Sequence, residues 1–368
     1  MKRTVLSLML VLGFAACGEK VDTPKGEEKP VVKIGVSLPL TGDTANVGNS
    51  VKAAVDMALE EWKQKNTKFD YQLIYEDDVL QVSKAARIAN KFINMDKVNA
   101  IMNIWGLTAP VFAEEAQKNK IIFLTCSGYI DNKDKPYVFN NYTPVKRISE
   151  VLIKKLKKLN VKKVAFGVDN NPVGLDRTNY IVEDMKRSGI DVVATEMYNG
   201  GEVDFRMSIV KMEAKNPDYY VIFVENPGTK NFIEQHKQIV QKDNLAAIDV
   251  FHEMPKKYWS VANGLWFVKS ANGTPEFEDR FQKKTGLEIQ SCVGNLYDNL
   301  NLIVNAFENS PVDSGEILPK NEDVLKQLHQ AKDIDGAIGK ISVDEDGNID
   351  SLAVIEKMVD GRPVLDEE

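Results

Sequence analysis

From Val31 onward, short runs of β-branched and apolar residues alternate with longer amphipathic stretches. The runs Val32–Leu38, Tyr71–Tyr75, Ala100–Ile104 and Ile121–Leu124 read as strands bounded by polar turns. Between them, residues 48–65, 81–95 and 108–118 repeat apolar positions at three and four. Val51, Ala54, Val55, Ala58, Leu59 and Trp62 make one such stripe. After residue 145 the alternation resumes, with strands expected at 164–168, 192–197, 220–224 and 248–251 and helices at 174–188, 204–215 and 228–241. Strand, helix, strand in series predicts a parallel sheet covered on both faces. Two such series in one chain predict two doubly wound α/β lobes.

The first residues follow a different pattern. Lys2 and Arg3 precede an almost wholly apolar run, Val5–Ala16, which is too short for an ordinary bilayer span and ends in small residues before Cys17. A basic start, a short apolar core and small residues before a cut describe an export signal. Gly13-Phe14-Ala15-Ala16-Cys17 resembles the lipobox of bacterial lipoproteins, with Phe14 where leucine is usual, and implies lipidation of Cys17 and anchoring in membrane lipid. Residues 18–30 are polar, with Pro24, Gly26 and Pro30, and read as a disordered tether. No later stretch approaches the length of a membrane helix.

The formal charge is −7, and loss of Lys2 and Arg3 with the leader makes it two units more negative. No basic stripe studded with aromatics occurs, so nucleic acid is not an expected partner. Besides Cys17, Cys126 and Cys292 lie far apart and do not form a metal-spacing pair. They are either one bridge or two buried thiols, and the thiols are the expectation.

Sheets of this class bind ligands beyond the carboxyl ends of their strands. The segments to watch are therefore 39–48, 105–108, 125–128, 169–174, 225–228 and 252–254. At this point the sequence is similar to a known family, the leucine/isoleucine/valine-binding type of periplasmic protein that serves ABC transporters. The resemblance rests on Ile34-Gly35-Val36-Ser37-Leu38-Pro39-Leu40-Thr41-Gly42 followed by Gly48, on Asp77-Asp78, and on Ala109–Ala116 with Ile121–Leu124. It continues through Asn199–Phe205, Tyr297-Asp298 as the start of a helix, and the glycine-rich run Ile334–Asn348.

The resemblance implies the type I periplasmic binding protein fold, with two lobes joined by three crossovers and a small-molecule ligand held in the cleft. It places the first lobe at 31–141 and 272–333 and the second at 142–271 and 334–368, with hinges near Asn141, Ser270 and Asp335. It also implies delivery of the ligand to ABC transporter permease subunits; a ligand-sensing subunit for a membrane receptor is the alternative. No cofactor is implied.

By position, the resemblance points to Val47, Trp105, Gly106, Thr108, Cys126, Ser127, Gly128, Val173, Glu225, Asn226 and Glu253 as ligand-binding candidates. The family's carboxylate-binding serine and threonine fall on Trp105 and Gly128, and its flanking aromatics on Val47 and Val173. The cleft is thus expected to be more apolar and poorer in hydroxyls than an α-amino-acid site, with leucine, isoleucine and valine binding weakly. Backbone N–H groups at 126–128 and the helix start near Thr108 remain as anion donors. Trp105 offers stacking area, and Glu225 or Glu253 could meet a ligand cation.

Catalytic arrangements are not found. His236, His252 and His329 are scattered, and His236 and His329 are expected at the surface. His252-Glu253 sits on a strand pattern, where neighbours point to opposite faces. No Gly-x-Ser-x-Gly elbow, phosphate loop or His-Glu-x-x-His signature occurs. Asp344–Asn348 is similar to the start of a calcium loop but has Ile355 at the twelfth position, and a plain β-turn explains it better. A binding protein without enzyme activity is the expectation.

Overall fold

A computed structural model of the chain describes residues 29–366 apart from 129, 131, 225–227 and 250–253, and at 172 and 173 the backbone alone. The leader, Cys17, Glu225, Asn226, Glu253, His252 and the Val173 side chain lie outside the described residues.

The first sheet is built by β1 (Val31–Leu38), β2 (Asp70–Asp77), β3 (Ala100–Ile104), β4 (Ile122–Cys126) and β5 (Val138–Asn140), ordered β2-β1-β3-β4-β5. All its pairings are parallel. The connecting helices are α1 (Ala45–Lys63), α2 (Val82–Asn90) and α3 (Ala109–Asn119). β3 and β4 are buried along their whole length, which is why their sequences do not alternate apolar with polar; their single polar residues, Asn103 and Thr125, are buried near the carboxyl ends. The chain then enters the second series: α4 (Val145–Lys158), β6 (Lys163–Asp169), α5 (Pro172–Arg187), β7 (Asp191–Tyr198), α6 (Arg206–Glu213), β8 (Tyr219–Phe223), α7 (Gly228–Ile239), β9 (Leu245–Ile248) and β10 (Trp266–Ser270). It returns to the first lobe for α8 (Pro275–Thr285), α9 (Val293–Asn309), α10 (Asn321–His329) and a small antiparallel sheet of β11 (Ile334–Gly336), β12 (Gly339–Val343) and β13 (Ile349–Asp350). β14 (Ala353–Val359) and β15 (Arg362–Leu365) close the second sheet as an antiparallel edge, ordered β15-β14-β10-β9-β8-β6-β7.

Three apolar clusters result, one on each face of the first sheet and one around the second, and no cluster spans the two lobes. Three expectations change here. Residues 334–350 belong with the first core, because Ala337, Ile338, Ile341, Val343 and Ile349 are buried in it. The third crossing therefore falls at 351–352 rather than at Asp335. The eighth strand spans 245–248 instead of 248–251, since Asp249 turns away with φ +61°. Tyr297-Asp298 lies in the second turn of α9, which starts at Val293.

One glycine in each lobe fixes how the first helix sits on its sheet. A Cβ on Gly48 would lie 2.0 Å from the Pro39 carbonyl oxygen, and one on Gly174 would lie 2.4 Å from that of Asp169. Each helix can thus pack its start directly against the end of the preceding strand. Among the described residues no helix is long and apolar enough to cross a membrane.

Candidate functional site

The three chain crossings meet at one hydroxyl. Thr143 Oγ1 donates to the Leu352 carbonyl at 2.9 Å, and lies 2.7 Å from Ser270 Oγ and 3.0 Å from Ser351 Oγ. With its own proton committed to the carbonyl, it accepts from both serines. Each crossing thus contributes one hydroxyl to a buried knot. Asn141 ties the first crossing to α9, donating to the Asn295 carbonyl at 3.0 Å and accepting through its own carbonyl from Asn295 Nδ2 at 2.8 Å. Farther out, Lys256 of the second lobe pairs with Glu288 of the first at 2.6 Å across the cleft, with both side chains exposed.

On the first-lobe side, the strand ends carry a buried polar network. Ser37 Oγ donates to Asp78 Oδ2 at 2.9 Å, Asn103 Nδ2 donates to Thr108 Oγ1 at 2.9 Å, and Thr125 Oγ1 donates to Asn103 Oδ1 at 2.9 Å. Burial raises the Asp78 pKa, partly offset by bonds from the Leu80 N–H and Ser37. Asp77 binds the Leu40 N–H at 2.8 Å together with Thr41, fixing the β1–α1 loop. The adjacent acids of the sequence are therefore loop and core braces.

The candidates divide between these settings. Trp105 follows β3 with φ +65°, donates its N–H to the Cys126 carbonyl at 2.8 Å, and packs part of its ring on the first core. Gly106 beside it is exposed. Thr108 is fully buried, and its hydroxyl is committed to the interior network. Val47 is half-buried against the first core. The Ser127 N–H, expected to be open to an anion, instead donates to Asn140 Oδ1 at 3.1 Å, and Asn140 Nδ2 returns a bond to the Ser127 carbonyl. Cys126 is not a free thiol. It is bridged to Cys292 with Cα atoms 5.8 Å apart, joining the end of β4 to the start of α9.

Three residues that the sequence left unmarked come together here. Arg177, on the second turn of α5, pairs through Nη1 with Asp249 Oδ2 at 2.8 Å, and Tyr142 of the first crossing donates to the same oxygen at 3.0 Å. The guanidinium lies between two rings, 5.3 Å from the Tyr142 centroid and 5.5 Å from that of Phe223. Burial opposes its charge, but Asp249 and Tyr142 outweigh that and hold its pKa above the ordinary arginine value. Nη2 reaches across to the first lobe, 3.7 Å from where a Cβ on Gly128 would sit. Asp249 also lines a small cavity at the base of the cleft with Cys126, Ser270, Cys292 and Asn295. The sequence signal for Asp249 was its place just after a strand. Because that strand was expected three residues too late, at 248–251, Asp249 fell inside it.

His236 departs from its expected surface position. It is 1% exposed, edge-on to Tyr220 at 4.6 Å, with neither ring nitrogen hydrogen-bonded. Burial lowers its pKa to about 4. Asp344–Asn348 forms a turn in which Asp344 Oδ1 accepts from the Asp346 and Asn348 N–H groups. Among the described residues no group of three His, Cys, Asp or Glu is placed to hold a metal ion.

Two doubly wound lobes hinged at three crossings around a cleft define a bilobal binding protein. The family described as "Periplasmic binding protein" matches residues 31–361, and the chain belongs to it. A Leu/Ile/Val-binding protein homolog 3 from Brucella melitensis is 23% identical over 354 residues, covering 90% of this chain and 93% of that one. Among solved structures, an ABC transporter substrate-binding protein from Desulfitobacterium hafniense in complex with Leu has a TM-score of 0.76 at 20% identity, covering 91% of this chain and 99% of that one. An R. palustris ABC-transporter solute-binding protein in complex with benzoate has a TM-score of 0.71 at 15% identity, covering 91% and 95%. These likenesses share the fold.

Proposed function

We propose that this protein captures a small organic solute between its lobes outside the cytoplasm and delivers it to the permease subunits of an ABC importer. The observation that carries this reading is the hydroxyl knot of Thr143, Ser270 and Ser351, which joins two lobes with no shared apolar cluster through three short crossings. Such a joint lets one lobe rotate on the other as a rigid body. The ligands of two similar solved structures, leucine in one and benzoate in the other, support a small carboxylic acid of branched-chain or aromatic kind. Trp105, half-buried at the mouth of β3, is the surface on which a flat or apolar ligand stacks. A bridge between Cys126 and Cys292 suits an oxidising compartment. The leader and Cys17 supply export and a lipid anchor, so Cys17→Ser releases the protein from the membrane fraction or blocks its processing.

The test is a thermal-shift screen of the soluble body against amino acids, amides, aromatic acids and short diacids, followed by small-angle scattering with each hit. A ligand at a hundred times its dissociation constant adds about 2.7 kcal/mol to stability. Binding with a smaller radius of gyration supports capture by closure, and binding with an unchanged radius overturns it.

A further inference from the structure

We propose that Arg177 is the residue that holds the ligand's carboxylate, entering from the second lobe where the first lobe lacks hydroxyl groups. This rests on the reading that the cleft binds a small solute.

Four observations carry it. Arg177 is buried yet uses only one nitrogen, Nη1, for its ion pair with Asp249, and a guanidinium has five N–H donors in a planar fork. Its other terminal nitrogen, Nη2, faces Gly128 across the lobes, at the place where a hydroxyl-bearing side chain is missing. The rings of Tyr142 and Phe223, 5.3 and 5.5 Å from the guanidinium, hold it at the lobe boundary before any ligand arrives. Finally, Asp249 is 3% exposed and its Oδ1 accepts no hydrogen bond, although Oδ2 accepts two. A buried carboxylate oxygen without a protein donor is costly, and this one borders a water-sized cavity between the lobes into which a single donor group fits.

The pair is electrically neutral, so a bound carboxylate adds one negative charge. α3 starts just after β3 in the first lobe and α5 just after β6 in the second, and the partial positive charge of those helix starts favours an anion at these strand ends. The ligand class that satisfies both open groups is a small carboxylic acid bearing an O–H or N–H donor. Its carboxylate lies along the free edge of Arg177 and its donor reaches Asp249 Oδ1.

The experiment pairs each acid with its primary amide: benzoate with benzamide, 2-hydroxybenzoate with 2-hydroxybenzamide, and leucine with leucinamide. Calorimetry is run on wild type, Arg177→Lys and the double variant Arg177→Met/Asp249→Asn, which removes both charges and so leaves no unpaired buried ion. The expected result is that an acid binds wild type at least about tenfold more tightly than its amide, as loss of one charge-assisted bond requires. Arg177→Lys retains part of that affinity, and the double variant loses it while keeping its own melting transition. Amides binding as tightly as acids, acid affinity surviving in the double variant, or no acid binding at all would overturn the assignment. Scattering separates this from failure of the cleft reading. If a compound contracts the protein independently of Arg177, the assignment falls and capture stands; if no compound does, capture itself falls.

Discussion

Thr143 Oγ1 lies 2.7 Å from Ser270 Oγ, and the two residues sit on different crossings between the lobes, 127 positions apart in sequence. The hydroxyl of Ser351, on the third crossing, completes the contact at 3.0 Å. Because Thr143 is 2% exposed, this knot works without competition from water. Thr143→Val keeps the shape and removes every bond of the knot. The Leu352 carbonyl keeps its bond from the Ala271 N–H at 3.0 Å, so the loss falls on the Ser270 and Ser351 hydroxyls, and about 1–2 kcal/mol is the expected outcome in urea unfolding. The same variant broadens the range of lobe angles, read as a larger radius of gyration without ligand.

The Cys126–Cys292 bridge joins two elements of the first lobe and closes a loop, 166 positions long, that contains α4 to β10 of the second. Such a link restricts the unfolded chain, so reduction or the double serine variant lowers stability by about 2–4 kcal/mol. Melting with and without reductant measures it. An unchanged transition would mean that the two sulfurs are not joined.

His236 makes stability depend on pH in a defined direction. Its folded-state pKa of about 4 lies below the ordinary 6.5, so the proton binds more tightly in the unfolded chain. The histidine therefore costs nothing above pH 6.5, and stability falls as pH drops from there through 4, by at most about 3 kcal/mol. His236→Leu fills the same aromatic nest without a titrating group, and its urea midpoint falls less between pH 7 and pH 4.5 than that of wild type.

Gly48 and Gly200 separate a required glycine from a permissive one. Alanine at 48 drives a Cβ to 2.0 Å from a backbone oxygen, whereas alanine at 200 meets nothing within 4 Å. Gly48→Ala is expected to cost about 3 kcal/mol or more by forcing α1 off β1. Gly200→Ala stays within about 0.5 kcal/mol. Thermal melts of the two variants side by side check this.

The sequence by itself determined the alternation of strands and helices, because each buried strand had to be a short, mainly apolar run and each covering helix an amphipathic one. Ala100–Ile104 is a strand with the same ends in both accounts, and the helices expected from 48 and 174 start within three residues of those positions, at Ala45 and Pro172. Local pattern carries such features because their causes lie within a few residues. What only the tertiary structure decided depends on residues distant in sequence. The bridge between Cys126 and Cys292, the burial of His236 under Tyr220, and the return of residues 334–350 to the first core have no local signature. Arg177 shows the reason most plainly. On its own helix it is one more basic residue, and it becomes a buried cation at the lobe boundary only when Tyr142, Phe223 and Asp249 close around it from three other parts of the chain.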